Sequence, residues 1–216
     1  MSSDLIIFDC DGVLVDSEPI SNRVIVDLLA EAGWILSEDD SQRRFRGRRM
    51  DDVIAQIETH LGRPLPRDWL SQYEERRNAA FRQSLKPIPG IARVLACVAE
   101  LNRPMCVASS GSIAKTRMTL GLTGLASFFG DRLYSSSGLA NGKPAPDLFL
   151  HAAAAMGFDP PQCVVIEDSL PGVQAAQAAG MRCFGYAADS DSEALKACGA
   201  TCFTDMAALP GLLGLA

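Results

Sequence analysis

A run of four apolar residues, Leu5–Phe8, leads directly into Asp9 and, two residues later, Asp11. A short apolar run of this kind is typical of a strand buried on both faces of a parallel sheet. Such a strand would carry both aspartates to its carboxyl end, where open α/β sheets bind their ligands. Carboxylates so close together repel each other unless a cation or a shared proton relieves them. A divalent cation is the simplest relief, and hard oxygen ligands suit Mg²⁺.

Three further apolar runs resemble the first, and helical patterns lie between them. The runs are residues 105–108, 163–166 and 182–186, and the helical patterns include residues 91–101, 113–120, 146–156 and 172–179. Alternating strands and helices are typical of an α/β fold whose parallel sheet is covered on both faces. We therefore predict a doubly wound, Rossmann-like core with right-handed crossovers.

Residues 17–85 have a different character, because amphipathic helical patterns rich in Arg, Glu and Gln follow one another without a strand pattern. This segment interrupts the alternation between the first strand and the second. We therefore predict an inserted α-helical cap domain at 17–85 and a core domain formed by residues 1–16 and 86–216. Two prolines and a glycine within residues 86–90 would form the return crossing, since these residues end helices.

The composition argues against several classes of protein. The net charge of −6 disfavours a general nucleic-acid binder. No apolar run reaches the roughly 18 residues of a membrane helix, and the N-terminus lacks the basic and apolar stretches of a secretory signal. The seven cysteines are scattered and form no CxxC pair, which favours reduced thiols. We therefore expect a cytoplasmic protein that binds neither nucleic acid nor membranes, and we also expect a monomer.

A serine-rich segment, Ser109-Ser110-Gly111-Ser112, follows the second apolar run and precedes a helical pattern. Hydroxyl and backbone N–H groups at the start of a helix bind phosphate well. Taken alone, the segment could equally be an ordinary helix cap.

Lys143 lies between Gly142 and two prolines, Pro144 and Pro146, just before another helical pattern. On so stiff a backbone its ammonium could neutralise a phosphate or a carboxylate, although most surface lysines are simply solvated. The Lys143–Pro144 bond is a candidate for the cis form, which X–Pro bonds adopt at some functional turns.

Glu167 and Asp168 form a second acidic strand end. A helix N-cap would account for one of these acids but not easily for both. Together, four strand ends would supply two acid pairs, a serine and a lysine to one edge of the sheet. A metal-binding acid cluster with a hydroxyl and a lysine is what phosphoryl transfer to an aspartate requires.

In this order the motifs resemble those of the haloacid dehalogenase-like hydrolase superfamily, in the branch with a helical cap between its first and second motifs. The motifs are Asp-x-Asp-Gly-Val, Ser-Ser, Lys-Pro-x-Pro-Asp and Glu-Asp-Ser, and the resemblance covers nearly the whole chain. It implies that Asp9 is the nucleophile that forms an aspartyl-phosphate. It also implies that Asp11 protonates the leaving alcohol and then activates the hydrolytic water.

The same resemblance implies roles for the remaining motifs. Ser109, with Ser110 and Gly111, would hold the phosphate, and Lys143 would bridge the phosphate and the nucleophile. The implied Mg²⁺ ligands are Asp9, the backbone carbonyl of Asp11, Asp168 and, directly or through water, Glu167.

The motifs also bear on the choice of reaction. Dehalogenases of the family lack the second aspartate, because a halide leaves without a proton, so Asp11 favours phosphoryl chemistry. The chain also resembles the β-phosphoglucomutases, which leaves a phosphosugar mutase as an alternative. Those enzymes carry a histidine where this chain has Ser21 and an arginine where it has Met50, whereas Arg77 matches a basic cap position. These departures favour hydrolysis, and a catalytically silent binding module is the least favoured alternative.

Five arginines lie within residues 43–49. They could form a solvated helix face, pair with Asp51 and Asp52, or clamp a polyanion, since arginine forks suit carboxylate and phosphate. Together with Pro104-Met105-Cys106-Val107 and His151-Ala152-Ala153, this region also resembles the bacterial 6-phosphogluconate phosphatases, whose substrate has a phosphate at one end and a carboxylate at the other. We therefore expect a small phosphorylated metabolite, a sugar or sugar-acid phosphate, bound in part by Arg49 and Arg77.

Overall fold

The computed structural model describes residues 4–215, which contain a six-stranded sheet whose paired strands are all parallel. The strands are β1 (Leu5–Phe8), β2 (Met105–Ser109), β3 (Leu133–Ser135), β4 (Cys163–Glu167), β5 (Arg182–Tyr186) and β6 (Thr201–Phe203). Their order across the sheet is β3-β2-β1-β4-β5-β6, which is the order of a doubly wound α/β fold. The predicted fold class is therefore confirmed.

Within the described residues, five α-helices lie between β1 and β2, and six more lie after β2. Before β2 lie α1 (Glu18–Glu31), α2 (Glu38–Phe45), α3 (Met50–Leu61), α4 (Trp69–Ser84) and α5 (Ile91–Glu100); after it lie α6 (Ile113–Leu122), α7 (Ala126–Phe129), α8 (Asp147–Met156), α9 (Leu170–Ala178), α10 (Ser192–Ala197) and α11 (Leu209–Leu212). Within residues 4–215, no helix combines the length and the apolar character needed to cross a bilayer.

The four residues of β1 have no exposed surface, and alternate side chains point into two different cores. Ile6 and Phe8 join a cluster that includes the apolar face of α5. Leu5 and Ile7 join a cluster on the opposite face, which includes residues of α8 and α9. Burial on both faces explains why this strand is continuously apolar rather than alternating.

Helices α1 to α4 bury a separate apolar cluster of their own, centred on Leu29, Trp34 and Ile57. The chain segments that lead into and out of these helices lie side by side. Asp16 N–H donates to the Lys86 carbonyl at 2.9 Å, and Ile88 N–H donates to the Leu14 carbonyl at 3.0 Å. The assignment of residues 17–85 to a distinct cap domain stays a prediction, and the adjacent entry and exit segments are what an inserted unit requires.

Candidate active site

The strand order reverses at β1, since β2 and β3 lie on one side of it and β4, β5 and β6 lie on the other. Phe8 of β1 is in register with Val107 of β2 and with Ile166 of β4. Asp9 N–H continues the ladder by donating to the Ile166 carbonyl at 2.9 Å. The chain therefore delivers the ends of β1, β2 and β4 to the place where doubly wound sheets bind ligands.

Lys143 binds two of the carboxylates at this edge. Its Nζ donates to Asp9 Oδ1 at 2.6 Å and also to Glu167 Oε1, and all three side chains are buried. Burial raises the pKa of Asp9 well above its usual range, against the opposing charge of Lys143. Although burial favours the neutral amine, the charges of Asp9 and Glu167 raise the pKa of Lys143. The Lys143–Pro144 peptide is cis, as predicted.

Glu167 lies behind Lys143 and supports the loop that follows β4. Its Oε2 accepts hydrogen bonds from the backbone N–H groups of Asp168 and Ser169, both at 2.8 Å, and from Ser169 Oγ at 2.9 Å. Gly172 leaves room for this carboxylate, since a Cβ there would lie 1.9 Å from Glu167 Oε1. With Oε1 on Lys143 and Oε2 on the loop, Glu167 acts on the site through those neighbours.

Asp168 is held by an arginine of the segment between α2 and α3. Arg46 donates to Asp168 Oδ2 from Nε at 3.0 Å and from a terminal nitrogen at 2.5 Å, and its other nitrogen donates to the Asp189 carbonyl at 2.9 Å. Burial raises the pKa of Asp168 to about 7, although Arg46 opposes this rise. A second contact nearby joins Ser110 Oγ to the Gly47 carbonyl at 3.3 Å. Part of the arginine-rich segment thus faces the site.

Gly12 brings the loop after β1 against Asp168. Its φ is +78°, and a Cβ there would lie 2.1 Å from Asp168 Oδ2. We expect Gly12→Ala to lower the free energy of unfolding, because it adds a backbone cost of about 1–2 kcal/mol and an overpacking cost of about 1–3 kcal/mol. Gly62→Ala is the matched control, since Gly62 also has a positive φ (+65°) but nothing within 4 Å of a Cβ. Urea denaturation should show a clearly larger loss for Gly12→Ala, and equal losses would contradict the close packing on Asp168.

Asp11 is paired with a lysine that the sequence motifs did not single out. Lys115, near the start of α6, donates from Nζ to both carboxylate oxygens of Asp11, and Ser17 Oγ donates to Oδ1. Burial favours the neutral acid, but Lys115 and Ser17 together hold the pKa of Asp11 below its usual range. The available signal was the position of Lys115 one turn after the serine-rich segment.

A cavity of about 370 Å³ lies between this edge of the sheet and helices α1 to α4. Eight of the ten predicted site residues line it: Asp9, Asp11, Arg49, Arg77, Ser110, Gly111, Lys143 and Asp168. Glu167 lies behind this lining, and so does Ser109, which is fully buried and accepts a hydrogen bond from Gly111 N–H at 3.0 Å. The volume is sufficient for a small metabolite.

The residues at the sheet edge suit a divalent cation, although within residues 4–215 no three or more His, Cys, Asp or Glu side chains form a ready-made metal cage. Mg²⁺ does not need one, because it commonly takes one or two carboxylates and completes its shell with water and phosphate. Asp9 and Asp168 both line the cavity, and the charge of Asp168 adds to burial and Glu167 in raising the pKa of Asp9. Arg46 would have to release Asp168 for a cation to bind there.

Comparison with known proteins agrees with this geometry. Residues 3–180 match the family model of the haloacid dehalogenase-like hydrolases. The chain belongs to this family. It is similar to 6-phosphogluconate phosphatase of Escherichia coli, with 32% identity over 208 residues that cover 96% of this chain and 93% of that protein. Two further relatives, 30% and 33% identical over 82% of the chain, are also named as phosphatases.

Solved structures of the family have the same fold. A hydrolase from Deinococcus radiodurans with bound phosphate and sodium is 34% identical, with a TM-score of 0.78 over 99% of this chain and 97% of that one. A putative β-phosphoglucomutase from Thermotoga maritima is 26% identical, with a TM-score of 0.76 over 98% of each chain. The family match and the relatives named as phosphatases identify the chain as an enzyme, a phosphatase-type hydrolase, as its motifs predict.

Proposed function

We propose that this hydrolase is a Mg²⁺-dependent phosphatase that cleaves a small phosphate monoester, a sugar or sugar-acid phosphate such as 6-phosphogluconate. The observation that carries the proposal is the contact of the buried Lys143 ammonium with Asp9 and Glu167 at the carboxyl edge of the sheet. Lys143 opposes the rise that burial causes in the pKa of Asp9 and so favours the ionised carboxylate, which beside a cavity of metabolite size is suited to attack a phosphoryl group. The similarity to 6-phosphogluconate phosphatase supports the substrate class.

The reaction would proceed in two steps on Asp9. Its carboxylate attacks phosphorus, an Asp9–phosphate bond forms, and the bond to the ester oxygen breaks. Although burial favours the neutral acid, contacts with Lys115 and Ser17 lower the pKa of Asp11, so this carboxylate first leaves Lys115 and takes up a proton from solvent. Asp11 then gives that proton to the leaving oxygen and takes a proton from the water that attacks the aspartyl-phosphate. Release of inorganic phosphate restores both side chains.

Charge around the phosphate is offset by fixed groups of the chain. Lys143 neutralises part of the charge that accumulates when one anion attacks another, and the Ser110 and Gly111 segment faces the incoming phosphate. Asp9, the Asp11 carbonyl and Asp168 would hold Mg²⁺, which when bound supplies positive charge to the phosphate oxygens. Ser109 would position this segment indirectly, because its Oγ accepts a hydrogen bond from Gly111 N–H.

Helices α1 to α4 would open to admit the substrate and close to exclude water. The contact of Ser110 Oγ with the Gly47 carbonyl would help to hold the closed form, whereas Arg46 would release Asp168 when Mg²⁺ binds. We propose that the protein acts as a cytoplasmic monomer on a free metabolite, with no role for nucleic acid or membranes.

A panel of phosphorylated metabolites with and without Mg²⁺ tests this function. We expect phosphate release that needs Mg²⁺, is removed by EDTA, and is fastest with sugar or sugar-acid phosphates. Turnover should return when Mg²⁺ is added back in excess. If no member of a broad panel releases phosphate, the proposal is wrong.

A phosphosugar mutase is the second candidate, favoured by the likeness to the Thermotoga maritima structure and by the position of Arg77. Ser21 lines the cavity where the mutases have a histidine, which favours hydrolysis instead. Phosphorus NMR with a sugar 1-phosphate and a catalytic amount of the 1,6-bisphosphate separates the two. A mutase would yield the 6-phosphate, whereas the proposed phosphatase yields inorganic phosphate.

A further inference from the structure

Both oxygens of the Asp11 carboxylate are occupied by a cation that the proposed function does not use. Lys115 Nζ contacts Oδ1 and Oδ2, and Ser17 adds a third hydrogen bond. The Lys115 and Asp11 side chains are only 11% and 18% exposed, so water screens this pair weakly. For Asp11 to exchange a proton with a leaving alcohol, one of these oxygens has to be released.

The position of Lys115 is built into the start of α6. Ser112 caps this helix, with its Oγ accepting from Lys115 N–H at 3.3 Å. The Lys115 side chain runs over Gly111, where a Cβ would lie 2.9 Å from the lysine Cδ and 3.5 Å from its Nζ. Lys115 also lines the cavity, so its ammonium can be reached by a bound ligand.

A second cation of the same cavity lacks a close anionic partner. Arg77 is 8% exposed, and its guanidinium donates to Asn78 Oδ1 at 3.0 and 3.2 Å and lies 5.0 Å from the Tyr73 ring centre. Among the described residues, the one carboxylate within 4.0 Å is that of half-exposed Glu74, at 4.0 Å. A buried charge whose contacts are mainly neutral is costly, and an anionic ligand would relieve that cost.

Helix α4, which carries Arg77, packs against α6, which carries Lys115. The two cations thus stand on contacting helices and line one cavity, with Asp11 bound to the first of them. Because the phosphate end of a substrate must lie at Asp9, an anionic group at its other end could meet these two cations.

We propose that Lys115 is a specificity-determining residue that selects phosphate esters carrying a second anionic group, such as the carboxylate of a sugar-acid phosphate. The second anionic group binds the Lys115 ammonium in place of Asp11, with Arg77 as its other partner. Asp11 is then free to reach the leaving oxygen. No covalent bond changes in this exchange, since one ion pair replaces another. The inference rests on the proposed phosphatase activity and names the substrate class of that same site. Binding energy from the remote end of the substrate is thereby used at the reacting centre.

A matched pair of substrates tests the proposal, namely 6-phosphogluconate and sorbitol 6-phosphate, which differ in one terminal carboxylate. We expect the unaltered enzyme to prefer the acid in kcat/KM by at least about 10-fold, the scale of one charged contact. Lys115→Met should lower the preference for the acid, measured as the ratio of the two kcat/KM values, by about 10- to 100-fold. Lys115→Arg should keep the preference, because a guanidinium also binds carboxylate.

Arg117→Met is the control on the same helix, since Arg117 is 62% exposed and pairs with exposed Asp131. It should leave both rates unchanged. Turnover of the neutral ester by Lys115→Met reports that the variant is folded. An equal loss for both esters, or a preserved preference for the acid, would overturn the role of Lys115. If the unaltered enzyme cleaves both esters equally, the specificity proposal fails while the phosphatase function stands; if it cleaves no ester with Mg²⁺, the function itself fails.

Discussion

Asp9→Asn is expected to lower Mg²⁺-dependent phosphate release by at least about 10⁴-fold, the scale seen when a catalytic nucleophile is removed. The amide cannot attack phosphorus as a carboxylate does, although it has nearly the same shape. The fold should survive, because Lys143 keeps its contact with Glu167. Steady-state kinetics with the best substrate of the panel measures the first effect, and urea denaturation measures the second.

Asp16→Asn is the matched control for this variant. Asp16 lies on the same segment after β1 and is exposed, and its backbone N–H donates to the Lys86 carbonyl. Its replacement should leave the rate within about 2-fold, as expected for a surface position that touches no catalytic group. A variant Asp9→Asn that retained a tenth of the activity would exclude Asp9 as the nucleophile.

Lys143→Met is expected to abolish turnover and also to destabilise the protein by about 3–5 kcal/mol, because it leaves two buried carboxylates without their counter-charge. The effect has a pH dependence with a definite sign. Burial already raises the pKa of Asp9, and in this variant Lys143 no longer opposes that rise, so the folded-state pKa of Asp9 would lie further above its unfolded value near 4. Stability would then be greatest below about pH 4 and would fall as the pH rises through that raised value. Urea denaturation of the variant and of the unaltered protein at several pH values measures this pH dependence of the free energy of unfolding.

Two controls separate the charge cluster from general effects. Adding Glu167→Gln to Lys143→Met should recover part of the lost stability at neutral pH, since one buried charge is removed, but none of the activity. Lys196→Met removes a lysine that is 53% exposed and pairs with exposed Glu193, and should change the free energy of unfolding by less than about 1 kcal/mol. A pH-independent loss in Lys143→Met would mean that packing rather than charge is responsible.

Sequence patterns predicted the centre of the sheet better than its margins. Strands β1, β2, β4 and β5 are buried, four or five residues long and mostly apolar, so each is visible as a run. The edge strands β3 and β6 were missed, because each has three residues, too few to show a period. Helix α9 begins at Leu170 rather than at residue 172, since Ser169 caps it through a hydrogen bond from Gly172 N–H at 3.2 Å.

The motifs brought most of the candidate site together, but not its cation pairs. Asp9, Asp11 and Asp168 meet at the cavity as predicted from their strand-end positions, and Lys143 joins them from the segment between β3 and α8. The partners of the carboxylates were not predictable in the same way. Lys115 is 104 residues from Asp11 along the chain, and Arg46 is 122 residues from Asp168. The position of Lys115 one turn after the serine-rich segment is a local signal, but no local pattern indicates which acid Lys115 or Arg46 neutralises.

The amino-acid sequence by itself determined where the chemistry lies, because apolar runs form parallel strands whose carboxyl ends share one edge of the sheet. Any polar residue just after such a run is therefore brought to that edge. Only the tertiary structure decided which cation neutralises which acid. Those pairings depend on how α6 and the segment after α2 pack over the sheet edge, and ion pairing falls off within a few ångströms, so small differences in packing select the partner.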